Sequence, residues 1–269
     1  MPENTKDIPL SGHLEELRKL IGKCLIVWFV TALVCFVGKD LLFRFVFAPA
    51  QSDFVVFKML QYLSQLLHLP SLALGEFTPH FIATELTAQF MTHITVSVVG
   101  AVVVCVPFIL YQLFQFIAPA LQQASKKHSA MIIILSSLLF FFGVLLNYFI
   151  IFPFAYRFLS SYQVHPDVMN QITISSYISL LVMLSLLMGV LFELPIVAYL
   201  LAKWGLVTGE QMRHYRKHAF VAILILSAII TPTADAITLS MVTLPIYALY
   251  LLSVAVANGI SCKRQRVES

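Results

Sequence analysis

The sequence predicts an all-α integral membrane protein with six transmembrane helices, and three observations carry that expectation. The residues are 59% hydrophobic and 11% charged, with a mean hydropathy of +0.89; soluble domains do not have this balance. Apolar runs recur at lengths suited to a ~30 Å hydrocarbon core, which takes about 20 helical residues to cross. The basic residues are also sorted by loop. Of 17 Lys and Arg, only Lys39, Arg44, Lys58 and Arg157 fall on one side of the predicted spans. The excess on the other side places both termini in the cytoplasm by the positive-inside rule.

The spans are read at residues 24–38, 94–116, 131–152, 177–201, 219–230 and 237–260, within a single polytopic membrane domain covering residues 1–269. Residues 8–20 read as a helix along the membrane surface, with Ser11 as N-cap and Leu10, Leu14, Leu17 and Ile21 on one face. Residues 1–7 are polar and lack a cleavage-site pattern, so no cleaved signal peptide is expected. The segment 39–93 is too long for a plain connector; residues 54–69 read as a short helix within a cap over the external face. Pro107 and Pro153 mark kink or stop points, and residues 154–176 read as a second external loop. The hairpin 118–128 is short, which makes the second and third spans antiparallel neighbours. The fifth span has about 12 apolar residues, near 18 Å of helix, well short of the membrane core.

One carboxylate stands inside this apolar sequence. Glu193 lies in Phe192-Glu193-Leu194-Pro195, in a run otherwise free of charge. An ionised acid at bilayer depth costs several kcal/mol or more, so such groups face protein or a water-filled cavity. Pro195 lacks an N–H and bends its helix. The pattern suggests a working site; the alternative is a protonated Glu used only for packing. Other chemistry is poorly supported. Cys24, Cys35, Cys105 and Cys262 are scattered without disulfide or metal spacing. No nucleophile, metal set or paired carboxylates converge, so neither an enzyme nor a cofactor is expected. The net charge of +4 reports topology rather than nucleic-acid binding.

Four stretches then align with one family. His13-Leu14-Glu15-Glu16-Leu17-Arg18, the segment from Pro107 through Tyr111-Gln112 and Phe116 to Pro119, Phe192-Glu193-Leu194-Pro195, and Thr231-Pro232-Thr233-Ala234-Asp235 resemble TatC. Members of that family form the receptor subunit of the twin-arginine translocase. The resemblance implies six spans arranged as a concave cup, with short fifth and sixth spans and both termini inside. It further implies binding of Arg-Arg signal peptides of folded precursors and a multi-copy complex with single-span TatA/TatB-type subunits. Export would be driven by the proton-motive force across a bacterial inner membrane, with lipids as the remaining contacts. Carried onto this chain, Glu16 is the twin-arginine contact and Phe116 packs beside the peptide. Glu193 is the intramembrane polar site, and Thr231 and Asp235 mark the docking end for partner subunits.

The chain departs from the family pattern in its first cytoplasmic loop, where Ser125 precedes Lys126-Lys127 in place of a glutamate. Ser125 accepts a hydrogen bond but neutralises no charge, so altered twin-arginine selectivity is expected there. Glu15, about 100° around the helix from Glu16, would face the peptide from another angle. Leu239 also stands where the family often has a polar side chain. The rival reading is an ion-coupled small-solute transporter using Glu193 as its ion or proton site.

Overall fold

The computed structural model describes residues 10–67, 80–117, 126–165, 167–168, 170–231 and 236–268. Its first helix, α1 (Leu10–Val37), is a continuous 28-residue rod, about 42 Å long at 1.5 Å per residue. The expected surface helix and first span are therefore one element, and Ser11 falls inside it. Of the three residues between them only Gly22 is a poor helix former, and a lone glycine weakens a helix by about 1 kcal/mol, too little to break it. α1 packs antiparallel along α4 (Ala88–Ile117). Three polar contacts stitch the pair. Trp28 Nε1 donates to the Val98 carbonyl at 3.2 Å, and Cys105 Sγ donates to Thr31 Oγ1 at 3.3 Å. A ring nitrogen of His93 lies 3.0 Å from the Phe36 carbonyl.

Neither of the two prolines stops its span. Pro107 lies inside α4, which continues ten residues beyond it to Ile117; one lost backbone bond in a 30-residue helix is tolerated when neighbours shelter it. Pro153 was expected to close the third span, but that span runs on. α5 (Lys126–Leu146) passes through a π-helical turn (Asn147–Ile151) into α6 (Phe152–Ser161), so the apolar stretch extends from Ala130 to Ser161. The proline ring would clash with the carbonyl one turn back, at Phe149, and the wider π turn relieves that clash. The loop expected from residue 154 accordingly begins after Ser161.

The fourth span is α7 (Ile174–Leu191) followed by α8 (Leu194–Trp204), broken at Phe192–Glu193. α8 ends at Gly205 in the left-handed conformation (φ 77°), a helix stop open to glycine. A capping box from Thr208 to Gln211 then starts α9 (Gly209–His214). α10 (Arg216–Ile230) has 15 residues, about 22 Å, and is short as expected. The sixth span is not short: α11 (Ala236–Glu268) contains a 25-residue apolar stretch, Thr238–Cys262. Its apolar run is long enough to cross fully, and its basic tail remains helical beyond it. Five described helical stretches are long and apolar enough to cross a membrane, with α10 the short sixth.

Away from the basic end, α2 (Lys39–Phe47), a tight turn at Ala48–Ala50 and α3 (Val55–Leu67) form the cap. α3 matches the helix expected near residues 54–69. Aromatic rings seat it: Tyr177 is 2% exposed and donates to the Val46 carbonyl at 2.7 Å, while Tyr148 donates to the Phe45 carbonyl at 2.8 Å. Phe47 and Phe81 pack on Tyr177, and the Arg157 guanidinium lies 5.2 Å from the centre of the Phe57 ring. Two short strands, β1 (Phe81–Ile82) and β2 (Ile172–Thr173), pair in parallel and tie together the two loops at this end of the bundle.

Candidate functional site

The structure brings two of the predicted residues, Glu16 and Phe116, into one cleft. Because α1 and α4 run antiparallel, the start of one meets the end of the other at the basic end of the bundle. Glu16, Lys19, Leu20 and Lys23 form one stripe on α1, at the three- and four-residue spacing that shares a helix face. Across from them stand Gln112, Gln115 and Phe116, and the cleft between has a volume of about 400 Å³. Gln115 Nε2 donates to the Tyr111 hydroxyl at 2.7 Å, which fixes the amide at the rim. Glu15 lies off this stripe. Its carboxylate pairs with Lys19 at 2.9 Å, so its effect on the cleft is to hold the Lys19 charge. Ser125 lies outside the described residues, as does Asp235.

Glu193 sits at the break between α7 and α8, with Pro195 in the first turn of α8. Its Oε2 accepts a hydrogen bond from Ser136 Oγ on α5. The other oxygen, Oε1, is buried and has no hydrogen-bond partner among the described residues. The Ser136–Glu193 bond is one end of a seam between α5 and α7. Further along, the Phe140 ring fills the space over Gly189, and Phe192 with the Met188 carbonyl fills the space over Gly143. At the far end Asn147 Nδ2 donates to Ser185 Oγ at 2.9 Å, both residues buried. Ser136, Phe140, Gly143 and Asn147 follow each other at spacings of four, three and four, so one face of α5, continued into the first residue of the π turn, carries the seam. Small residues that let helices approach, with polar residues between them, are how membrane helices associate.

Sequence reasoning found Glu193 but neither its partner Ser136 nor the Asn147–Ser185 pair. The signal was present, since Ser136 and Asn147 share a face with Gly143, but the Phe140–Gly143 run alone reads as packing. Lys19, Lys23, Gln112 and Gln115 were likewise not assigned to the cleft. Thr231 is 4% exposed, and its hydroxyl donates to the Ser227 carbonyl at 2.8 Å. That hydroxyl closes the last turn of α10 and is turned into its own helix. Leu239 is half-buried on α11.

The family model described as Sec-independent protein translocase protein (TatC) matches residues 12–245. This chain belongs to the TatC family. A TatC protein from Blattabacterium sp. subsp. Periplaneta americana is 30% identical over 267 residues, which cover 98% of this chain and all of that one. The Helicobacter pylori 26695 TatC protein is 33% identical over 252 residues, 94% of this chain and 88% of its own. Among solved structures, the twin arginine translocase receptor TatC in DDM superposes with a TM-score of 0.71 at 27% identity, covering 91% of this chain and 99% of that one. The fold is thus the TatC fold, and the chain is a multi-pass component of a protein translocase. As a TatC-family member it is a transport protein, with no catalytic family indicated.

Proposed function

We propose that this chain is a receptor subunit that binds Arg-Arg signal peptides of folded precursors at the Glu16–Phe116 cleft. It sits in a bacterial inner membrane with both termini cytoplasmic. The supporting observation is the meeting of Glu16 and Phe116, from helices far apart in sequence, at the basic end of the bundle. A guanidinium is held best by a carboxylate through charge-assisted, often bidentate bonds. Glu16 supplies that group, the amides of Gln112 and Gln115 add acceptors, and Phe116 offers a ring beside the peptide. Lys19 and Lys23 line the same cleft, and their charge disfavours a cationic guest unless it is offset. Glu15 offsets Lys19. With Ser125 in place of a loop acid, one carboxylate serves the cleft where the family pattern has two, so Arg-Arg over Lys-Lys discrimination is reduced.

Single-span Tat subunits assemble with the chain in several copies, and the proton-motive force drives export. The buried Glu193 Oε1, unpartnered among the described residues, offers a hydrogen-bonding site to a polar residue on a partner's transmembrane helix. Partner docking also involves residues 231–235, which follow α10 in the sequence. Because the Thr231 hydroxyl serves its own helix, this residue acts by shaping that end, and Asp235 is the contact.

Site-specific photo-crosslinking tests the receptor role. Probes at Gln115 and at Ser125, with Glu16 left intact, are offered an Arg-Arg signal peptide or its Lys-Lys counterpart. Crosslinks at Gln115 that weaken with Lys-Lys support the cleft as receptor. No crosslink at either position refutes it.

A further inference from the structure

We infer that the groove between α1 and α4 is a binding site for an anionic phospholipid, with its phosphate at Lys23 and an acyl chain along the helix pair. This inference concerns a ligand distinct from the signal peptide and holds whether or not the peptide binds. The site has two compartments that meet at Leu20. One is the polar cleft lined by Glu16, Lys19 and Lys23. The other is an apolar groove of about 380 Å³ walled by Leu20, Ile21, Leu25, Trp28, Val102 and Ile109. Cation above and apolar trough below match a molecule that is anionic at one end and hydrocarbon at the other.

Charge decides between lipid classes. Lys19 is held by Glu15 at 2.9 Å, whereas Lys23 makes no ion pair among the described residues. Lys23 lies five positions before Trp28, about 7.5 Å along the helix, so the phosphate sits beside the upper part of the groove, which begins at Leu20. None of the residues in the most apolar stretch of α1 is buried against protein, so the groove opens sideways to the bilayer.

Trp28 lies in the groove wall, and the chain has two tryptophans, so Trp204→Phe leaves Trp28 as the only indole. In zwitterionic nanodiscs, phosphatidylglycerol with brominated acyl chains is titrated against brominated phosphatidylcholine, and quenching of Trp28 is read. One lysine at the membrane surface favours an anionic headgroup by about fivefold. The expected result is a preference of that size for phosphatidylglycerol, kept in Lys23→Arg and lost in Lys23→Gln. Equal quenching by the two lipids in the Lys23 protein overturns the inference and makes the groove an ordinary lipid contact. An undiminished preference in Lys23→Gln overturns it as well.

Discussion

A single methyl group at Gly143 tests the α5–α7 seam. In Gly143→Ala the new Cβ would lie 2.6 Å from the Met188 carbonyl oxygen and 2.8 and 2.9 Å from Phe192 ring atoms. The nearest of these is about 0.9 Å inside the ~3.5 Å at which non-bonded atoms touch. Phe192 can rotate, but Met188 O belongs to a helix backbone and moves only if the helices part. Overpacking of this kind costs about 1–3 kcal/mol. Parting also stretches the flanking Ser136–Glu193 and Asn147–Ser185 hydrogen bonds, each worth about 0.6 kcal/mol between membrane helices. Against this, Ala is favoured over Gly in a helix by up to ~1 kcal/mol. The clash wins, for a net loss of about 1–3 kcal/mol. The assay is reversible unfolding of the purified chain in mixed micelles, with Gly259→Ala as comparator. A Cβ added at Gly259 would meet nothing within 4 Å, so there the same atom should be neutral or stabilise by up to ~1 kcal/mol. Equal or greater stability of Gly143→Ala, or the same shift at both positions, refutes the reasoning.

Gly189→Ala should also destabilise, but its three nearest contacts all belong to the Phe140 ring, so adding Phe140→Leu should restore part of the loss in the same unfolding assay. Glu193→Ala strands the Ser136 hydroxyl and should cost about 1–3 kcal/mol, whereas Glu193→Gln keeps an acceptor and should cost less. Glu16→Gln should weaken Arg-Arg peptide binding by about tenfold or more in a fluorescence titration. Glu15→Gln should cost less, since that carboxylate is paired with Lys19. Thr208→Ala removes the capping box of α9 and should destabilise that helix by about 1 kcal/mol, seen as faster hydrogen exchange at the Gln211 amide.

Features decided within one helix were legible in the sequence. The break near Glu193–Pro195, the short α10 and the α3 helix of the cap each follow from composition, proline or periodicity over a dozen residues. What needed a second helix was not legible. Ser136 is one of several span serines, and only the α5–α7 register selects it as the partner of Glu193. The span end expected at Pro153 failed for a related reason. Proline forbids one hydrogen bond, but neighbouring helices and a π turn absorb that loss, and a local reading cannot see them. The β1–β2 pair joins two-residue strands from loops far apart in sequence, too short to carry an alternating pattern. Glu16 was singled out by motif and Lys23 by topology alone, and only the antiparallel α1–α4 packing puts them on one cleft.

The pairing of α1 with α4 also orders the events of biogenesis. α1 emerges from the ribosome first, yet the helix it packs against is complete only at Ile117, 80 residues after Val37. At 5–20 residues per second, the first helix waits about 4–16 s in lipid without its mate. Meanwhile the Thr31 hydroxyl is occupied by the Val27 carbonyl of its own helix at 2.8 Å, which spares the solitary helix an unsatisfied donor. The cap waits longer still, because its anchor Tyr177 belongs to the fourth span. The hairpin of α1 and α4 is therefore available to the nascent chain before the cap is, and the cap closes over a bundle already half assembled.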